Sequence, residues 1–175
     1  MRLPAKCLWA VASALWVMLL ASASVDAKAR YPLLGAAAPE VLQHLIAGPA
    51  GNFRLSDHRG EVVVVGFWTS WCDACADYLA MLQSLDQTYA SAGLVVLAVS
   101  LDTERQSALD FVHPFSKKLR ASNDGPETIG RLFAVEDVPL TVLIDRDGVV
   151  RYAHTVNDHT NQMAIQRELK ILLDE

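Results

Sequence analysis

The chain has 175 residues, a length that suggests one domain plus a leader. A net charge of −5, with no basic cluster larger than Lys117-Lys118 and Arg120, argues against a nucleic-acid partner. Hydrophobic residues make up 52% of the chain, ample material for a buried core.

Residues 1–23 read as an address. Arg2 and Lys6 form a positive start, Leu8 to Leu20 is apolar apart from Ser13, and Ala21-Ser22-Ala23 is a small-residue cleavage signal. Val25-Asp26-Ala27 is a second, poorer site. Cleavage is the favoured reading, but the uncharged run from Cys7 to Val25 is long enough to anchor the chain if uncut. Either outcome exports the remainder of the chain. Cys7 precedes the apolar run and carries no lipidation pattern, so a processed chain keeps Cys72 and Cys75 alone, with no stray thiol to mispair. Residues 24–37, rich in alanine with Pro32 and Gly35, read as a linker, and residues 38–175 as the domain.

Gly48 to Asn52 is a turn cluster, Phe53-Arg54-Leu55 a short strand, and Ser56 to Gly60 a polar turn. The β-branched run Val62 to Val65 then reads as a buried strand, ending in Gly66-Phe67. It leads straight into Trp68-Thr69-Ser70-Trp71-Cys72-Asp73-Ala74-Cys75 and a helix from Ala76 to Ala92, stopped by Gly93. Leu94 to Ser100 is a second buried strand. A helix from Thr103, carrying Ala108, Leu109, Phe111 and Val112, ends at Pro114. After a loop at Asn123 to Glu127 and a short helical piece at Ile129 to Phe133 comes Val138-Pro139, opening the strand Leu140 to Ile144. The Asp145 to Gly148 turn joins it to an antiparallel strand, Val149 to His154. A last helix, capped by Asn157 or Asp158, runs to Leu173.

A strand delivering C-x-x-C to the first turn of a helix suits dithiol–disulfide exchange. Free N–H groups and the helix dipole stabilise a thiolate on Cys72, which attacks a partner disulfide, and Cys75 resolves the mixed disulfide. Two other readings weigh less. A zinc site needs further ligands, yet no second cysteine pair exists and the five histidines are scattered. A purely structural disulfide would close too short a loop to add much stability.

The W-C-x-x-C motif, the Val138-Pro139 signature and the lead-in from Pro39 through Leu55-Ser56-Asp57 resemble the thioredoxin family, above all its exported TlpA-like and ResA-like branch. The resemblance implies an α/β thioredoxin-like fold, a central mixed sheet with helices on both faces, over about residues 38–175. It also implies a cis Val138–Pro139 peptide packed against the cysteines, with the Val138 backbone receiving a client segment. Leu140 departs from the small or polar residue that usually follows this proline. Thioredoxins carry a buried acid six residues ahead of the first cysteine; here that position is Gly66. The ResA-like branch carries a buried glutamate after the next strand instead, and with a shift of one residue Asp102 is the nearest candidate proton acceptor, with Glu104 the fallback and a surface cap of the Thr103 helix the competing role. Trp71 should flank the sulfur and offer an apolar contact, while Trp68 belongs to the core.

Asp73 has opposed effects, favourable at a helix start but repelling a neighbouring thiolate, and so is either a candidate for redox tuning toward a reductant or simply a solvated helix-start residue. The function expected is an exported, periplasmic or outer-face thiol:disulfide oxidoreductase with no cofactor beyond the Cys72–Cys75 disulfide. Its partners would be cysteine-containing client proteins, with apocytochrome c a client class in cytochrome c maturation, and a membrane thiol electron donor. Two alternatives remain. Thr69-x-x-Cys72 matches a peroxiredoxin-like peroxidase superficially, without the upstream proline, and the two thiols could hold copper in an assembly chaperone, without an evident third ligand.

Overall fold

Two runs of apolar residues, Val62 to Trp68 and Leu94 to Ser100, lie side by side at the centre of one sheet and are buried along their whole length. The structure is a computed structural model that describes residues 31, 33–125, 128–155 and 159–175. The leader, most of the linker, the end of the 123–127 loop and the cap expected at Asn157 or Asp158 lie outside these residues. In chain order the elements are β1 (Leu42–Ala47), β2 (Asn52–Arg54), β3 (Val62–Trp68), α1 (Cys75–Tyr89), β4 (Leu94–Ser100) and α2 (Arg105–Val112). They continue with β5 (Arg120–Asn123), α3 (Ile129–Leu132), β6 (Leu140–Ile144), β7 (Val150–Thr155) and α4 (His159–Asp174). No helix among the described residues is long and apolar enough to cross a membrane.

The sheet has seven strands in the order β2-β1-β5-β4-β3-β6-β7. β3, β4 and β5 are parallel, and the remaining neighbours pair antiparallel. Successive side chains of β3 point to opposite faces. Val62, Val64 and Trp68 enter one core with Leu79 and Leu82 of α1, Ala108 of α2 and Ile165, Leu169 and Leu172 of α4. On another side of the strand Phe67 meets Phe133, just past α3, with ring centroids 5.4 Å apart. The helices thus stand on both faces, unequally, since α3 spans four residues.

Two strands are not evident in the sequence. β5, Arg-Ala-Ser-Asn, lacks the β-branched pattern of a strand, and the Lys117-Lys118-Arg120 patch reads by itself as a solvated helix end. Lys117 and Lys118 are exposed, but Arg120 opens β5 and reaches Asp86 at 3.3 Å. Pairing with β4 and β1 on its two sides makes this segment a strand. β1, likewise, pairs with β5 and β2. Gly35 donates to Val150 O and Ala38 to Gly148 O, so residues 35–37 are joined to the edge at β7.

Gly66 sits in β3 where any side chain would collide. A Cβ there would come within 2.5 Å of both Leu82 Cδ1 and the Tyr78 hydroxyl. Glycine in a strand interior commonly marks such a close approach.

Candidate active site

The end of β3 turns twice before α1 begins. Cys72 N donates to Thr69 O at 3.4 Å and Cys75 N to Cys72 O at 3.0 Å. Cys75 opens the helix, with Ala74 as its cap, so Cys72 precedes the first helical turn rather than lying within it as expected. The two sulfurs form a disulfide, with Cα atoms 5.3 Å apart. Cys75 is fully buried in the core beneath α1, whereas Cys72 is half-buried. The pair is asymmetric toward solvent. An attacking molecule reaches Cys72 first.

Asp102 fixes the turn from behind. It is buried just past β4, and its carboxylate accepts the Ser70 N–H at 2.9 and 3.0 Å and the Ser70 hydroxyl at 2.7 Å. Ser100 Oγ donates to the same carboxylate at 2.8 Å, and Asn123 Nδ2 to the Asp102 carbonyl at 2.8 Å. A buried carboxylate without such donors would be costly, and here each oxygen has them. Asp102 is therefore neither a surface residue nor a helix cap. Among the described residues no hydrogen bond joins it to either cysteine, and what it holds is the backbone ahead of Trp71. Glu104 is exposed and caps α2 without a side-chain hydrogen bond.

The Val138–Pro139 peptide is cis, and Pro139 is buried at the head of β6. Tyr78, one turn into α1 from Cys75, ties that strand to the helix. Its hydroxyl lies 3.0 Å from Leu140 O, to which it donates, and 2.9 Å from Thr141 Oγ1. Burial pushes the phenol far above its ordinary range, with the Thr141 hydrogen bond opposing only in part. Tyr78 therefore stays a neutral donor. It occupies the space that Gly66 leaves open, at the position where thioredoxins carry a buried acid. Nothing in the sequence around Tyr78 singles it out; the one signal is a glycine inside a run of valines.

Trp71, which precedes Cys72 in the chain, is 73% exposed, and Asp73 is exposed between the cysteines in sequence. Trp68 is buried as expected, stacked on Phe111 with centroids 5.4 Å apart. Between Trp71 and the loop before Pro139 lies an open cavity of about 260 Å³. Val138 lines it, as do Thr69, Leu101 and Val135, with Glu136 and Asp137 from the same loop. Of these residues the sequence marks only Trp71 and Val138 as client contacts. Elsewhere, His58 pairs with Glu61 at 2.7 Å and His154 with Glu168 at 2.5 Å, and no group of three or more metal-ligating residues gathers among the described residues.

Residues 34–153 match the AhpC/TSA family. The thiol-disulfide oxidoreductase ResA of Geobacillus kaustophilus is 29% identical over 118 residues, which cover 67% of this chain and 67% of that one. ResA of Geobacillus thermodenitrificans is 27% identical over the same shares. Among solved structures, a Chlorobium tepidum chain assigned to thiol:disulfide interchange protein DsbE superposes with a TM-score of 0.73. It is 28% identical and covers 80% of this chain and 97% of that one. The exposed lipoprotein thioredoxin Etrx1 of Streptococcus pneumoniae, 22% identical, matches with a TM-score of 0.65 over 77% of this chain and 100% of that one, and shares the fold.

Proposed function

This chain belongs to the AhpC/TSA family and is a ResA/TlpA-like thiol-disulfide oxidoreductase of thioredoxin-like fold; on that premise we propose that it works outside the cytoplasm, reducing disulfides in client proteins. The observation that supports the assignment of roles is the unequal exposure of the two cysteine residues, Cys72 half-buried and Cys75 fully buried. Cys72 attacks a client disulfide; a Cys72–client bond forms as the client's own S–S bond breaks, and the departing thiolate takes up a proton. Cys75 then attacks Cys72, the client leaves as a dithiol, and two electrons have passed to it. Trp71, Val138 and Pro139 receive the client segment. A membrane thiol donor restores the dithiol, and no cofactor beyond the cysteine pair is required. Apocytochrome c awaiting haem is the client class we assign. Alkylation of the reduced protein at mildly acidic pH tests the roles. Cys72 is labelled well ahead of Cys75; equal labelling, or the reverse order, overturns the assignment.

The direction of electron flow has its own test. Equilibration with glutathione places the Cys72–Cys75 couple more reducing than about −200 mV, and a value near −120 mV, typical of a strong oxidant, would contradict a reductant. Asp73 contributes to that poise. Its carboxylate repels a Cys72 thiolate and so destabilises the reduced form. In Asp73→Asn the thiolate is relieved of the charge and the couple becomes more oxidising by roughly 10–20 mV. No change in Asp73→Asn removes Asp73 from the tuning.

Export rests on Arg2, Lys6, the apolar run and Ala21-Ser22-Ala23. A reporter fused after Glu175 that gains activity only across the membrane is active in whole cells. Activity of a cytoplasm-restricted reporter in its place rules the location out.

A further inference from the structure

The cavity between Trp71, the residue before Cys72, and the loop before Pro139 carries one sign of charge. Trp71, Leu101, Val135 and Val138 give the cavity apolar walls. Its charged residues are Glu136 and Asp137, both exposed, and no lysine or arginine among the described residues lines it. Asp73, exposed between the cysteines, adds a third carboxylate to this end of the molecule. Thr69, which lines the cavity, is 2% exposed, and the adjoining turn is held fixed, because Asp102 accepts both the N–H and the hydroxyl of Ser70.

Resting on the disulfide-reductase reading, we propose that this cavity selects clients by charge, favouring an extended segment with a lysine or arginine beside the disulfide-bonded cysteine. The client sulfur meets Cys72 while the basic side chain lays its methylenes along Trp71 and carries its charge to Glu136 and Asp137. Single exposed ion pairs contribute little, but two carboxylates on one loop also steer encounter, which raises the association rate. An acidic segment meets repulsion at the same place.

The full chain, reduced and freed of excess thiol, tests this against two short peptides that differ only in bearing lysine or glutamate on both sides of one cysteine. That cysteine is held as a pyridyl disulfide, so attack by Cys72 forms a Cys72–peptide bond and expels pyridinethione, whose absorbance is followed. Cys75 then releases the peptide thiol. Rates are divided by those of each peptide with mercaptoethanol, which removes intrinsic reactivity, and neutral dipyridyl disulfide is the reference. The lysine peptide reacts about tenfold faster than the glutamate peptide at low salt, and the ratio collapses toward one at ~1 M salt, where charges are screened beyond about 3 Å. In Glu136→Lys/Asp137→Lys the ratio falls below one, and in Glu136→Gln/Asp137→Asn it falls to near one. Equal rates for the two peptides in the wild type, or a ratio unmoved in both variants, overturn charge selection while leaving the reductase reading intact. Failure of the wild type to reduce even dipyridyl disulfide overturns the reductase reading itself.

Discussion

A Cys75→Ala variant, reduced and mixed with an oxidised client protein, accumulates as a mixed disulfide through Cys72 instead of turning over. The reason lies in the arrangement of the two sulfurs. Cys72 is open to a client, and its partner lies directly beneath it at the start of α1, with Cα atoms 5.3 Å apart. A well-oriented intramolecular group acts at effective concentrations of roughly 10⁵–10⁸ M. A free thiol replacing it at millimolar concentration resolves the intermediate at least about a thousandfold more slowly, even if most of that advantage is lost. Cys72→Ser, by contrast, abolishes both turnover and trapping, because the remaining thiol is fully buried. Non-reducing gels and mass spectrometry of the trapped species read both outcomes. A Cys72→Ser protein that still captures clients, or a Cys75→Ala protein that still turns over, would show the roles to be reversed or shared. The trapped partners also test whether apocytochrome c is among the clients.

Gly66→Ala unfolds at lower denaturant, with a loss of about 1–3 kcal/mol, the usual cost of forcing an extra methyl into a packed core. The new Cβ would meet the Tyr78 hydroxyl and Leu82 Cδ1, each 2.5 Å away, and neither is a free surface group. Tyr78→Phe alone costs about 1–3 kcal/mol, since it leaves the buried Leu140 carbonyl short of a donor. The two losses are not additive. Removing the hydroxyl also removes one of the two obstacles to the new methyl, so Gly66→Ala/Tyr78→Phe is less damaged than the sum, and a double-mutant cycle measures the coupling. Strict additivity would mean that Tyr78 does not occupy the space beside Gly66. The sign of the pH dependence follows from burial. Because the phenol is raised above its unfolded value of about 10, its contribution is fully present below that pH and is lost only as pH rises beyond it. Tyr78→Phe therefore costs the same at mildly acidic and mildly alkaline pH.

Local chemistry wrote much of this protein openly. Val62 to Val65 and Leu94 to Ser100 are apolar runs that suit a buried strand, and Gly93, with φ +90°, ends the helical turn at Ala90–Ala92 that follows α1. Two cysteines with two residues between them, placed after such a strand, announce disulfide exchange, and Val138-Pro139 marks the head of the apolar strand that follows it. These signals are legible because each depends on residues a few positions apart. The tertiary structure decided what depends on distant partners. β5 is a strand because β4 and β1 flank it, although Arg-Ala-Ser-Asn alone has no reason to extend. Asp102 belongs to the active-site turn because β4 ends beneath Ser70, thirty-two positions earlier in the chain. Tyr78 matters because β3 has a gap at Gly66 and β6 presents Leu140 and Thr141 to it, partners sixty-two and sixty-three positions away. The acidic cavity exists because the loop before Pro139 is brought against Trp71. Periodicity and motif spacing report the conformation of a segment, whereas a site is assembled where the sheet brings segments together, and that assembly is fixed by pairings no local window contains.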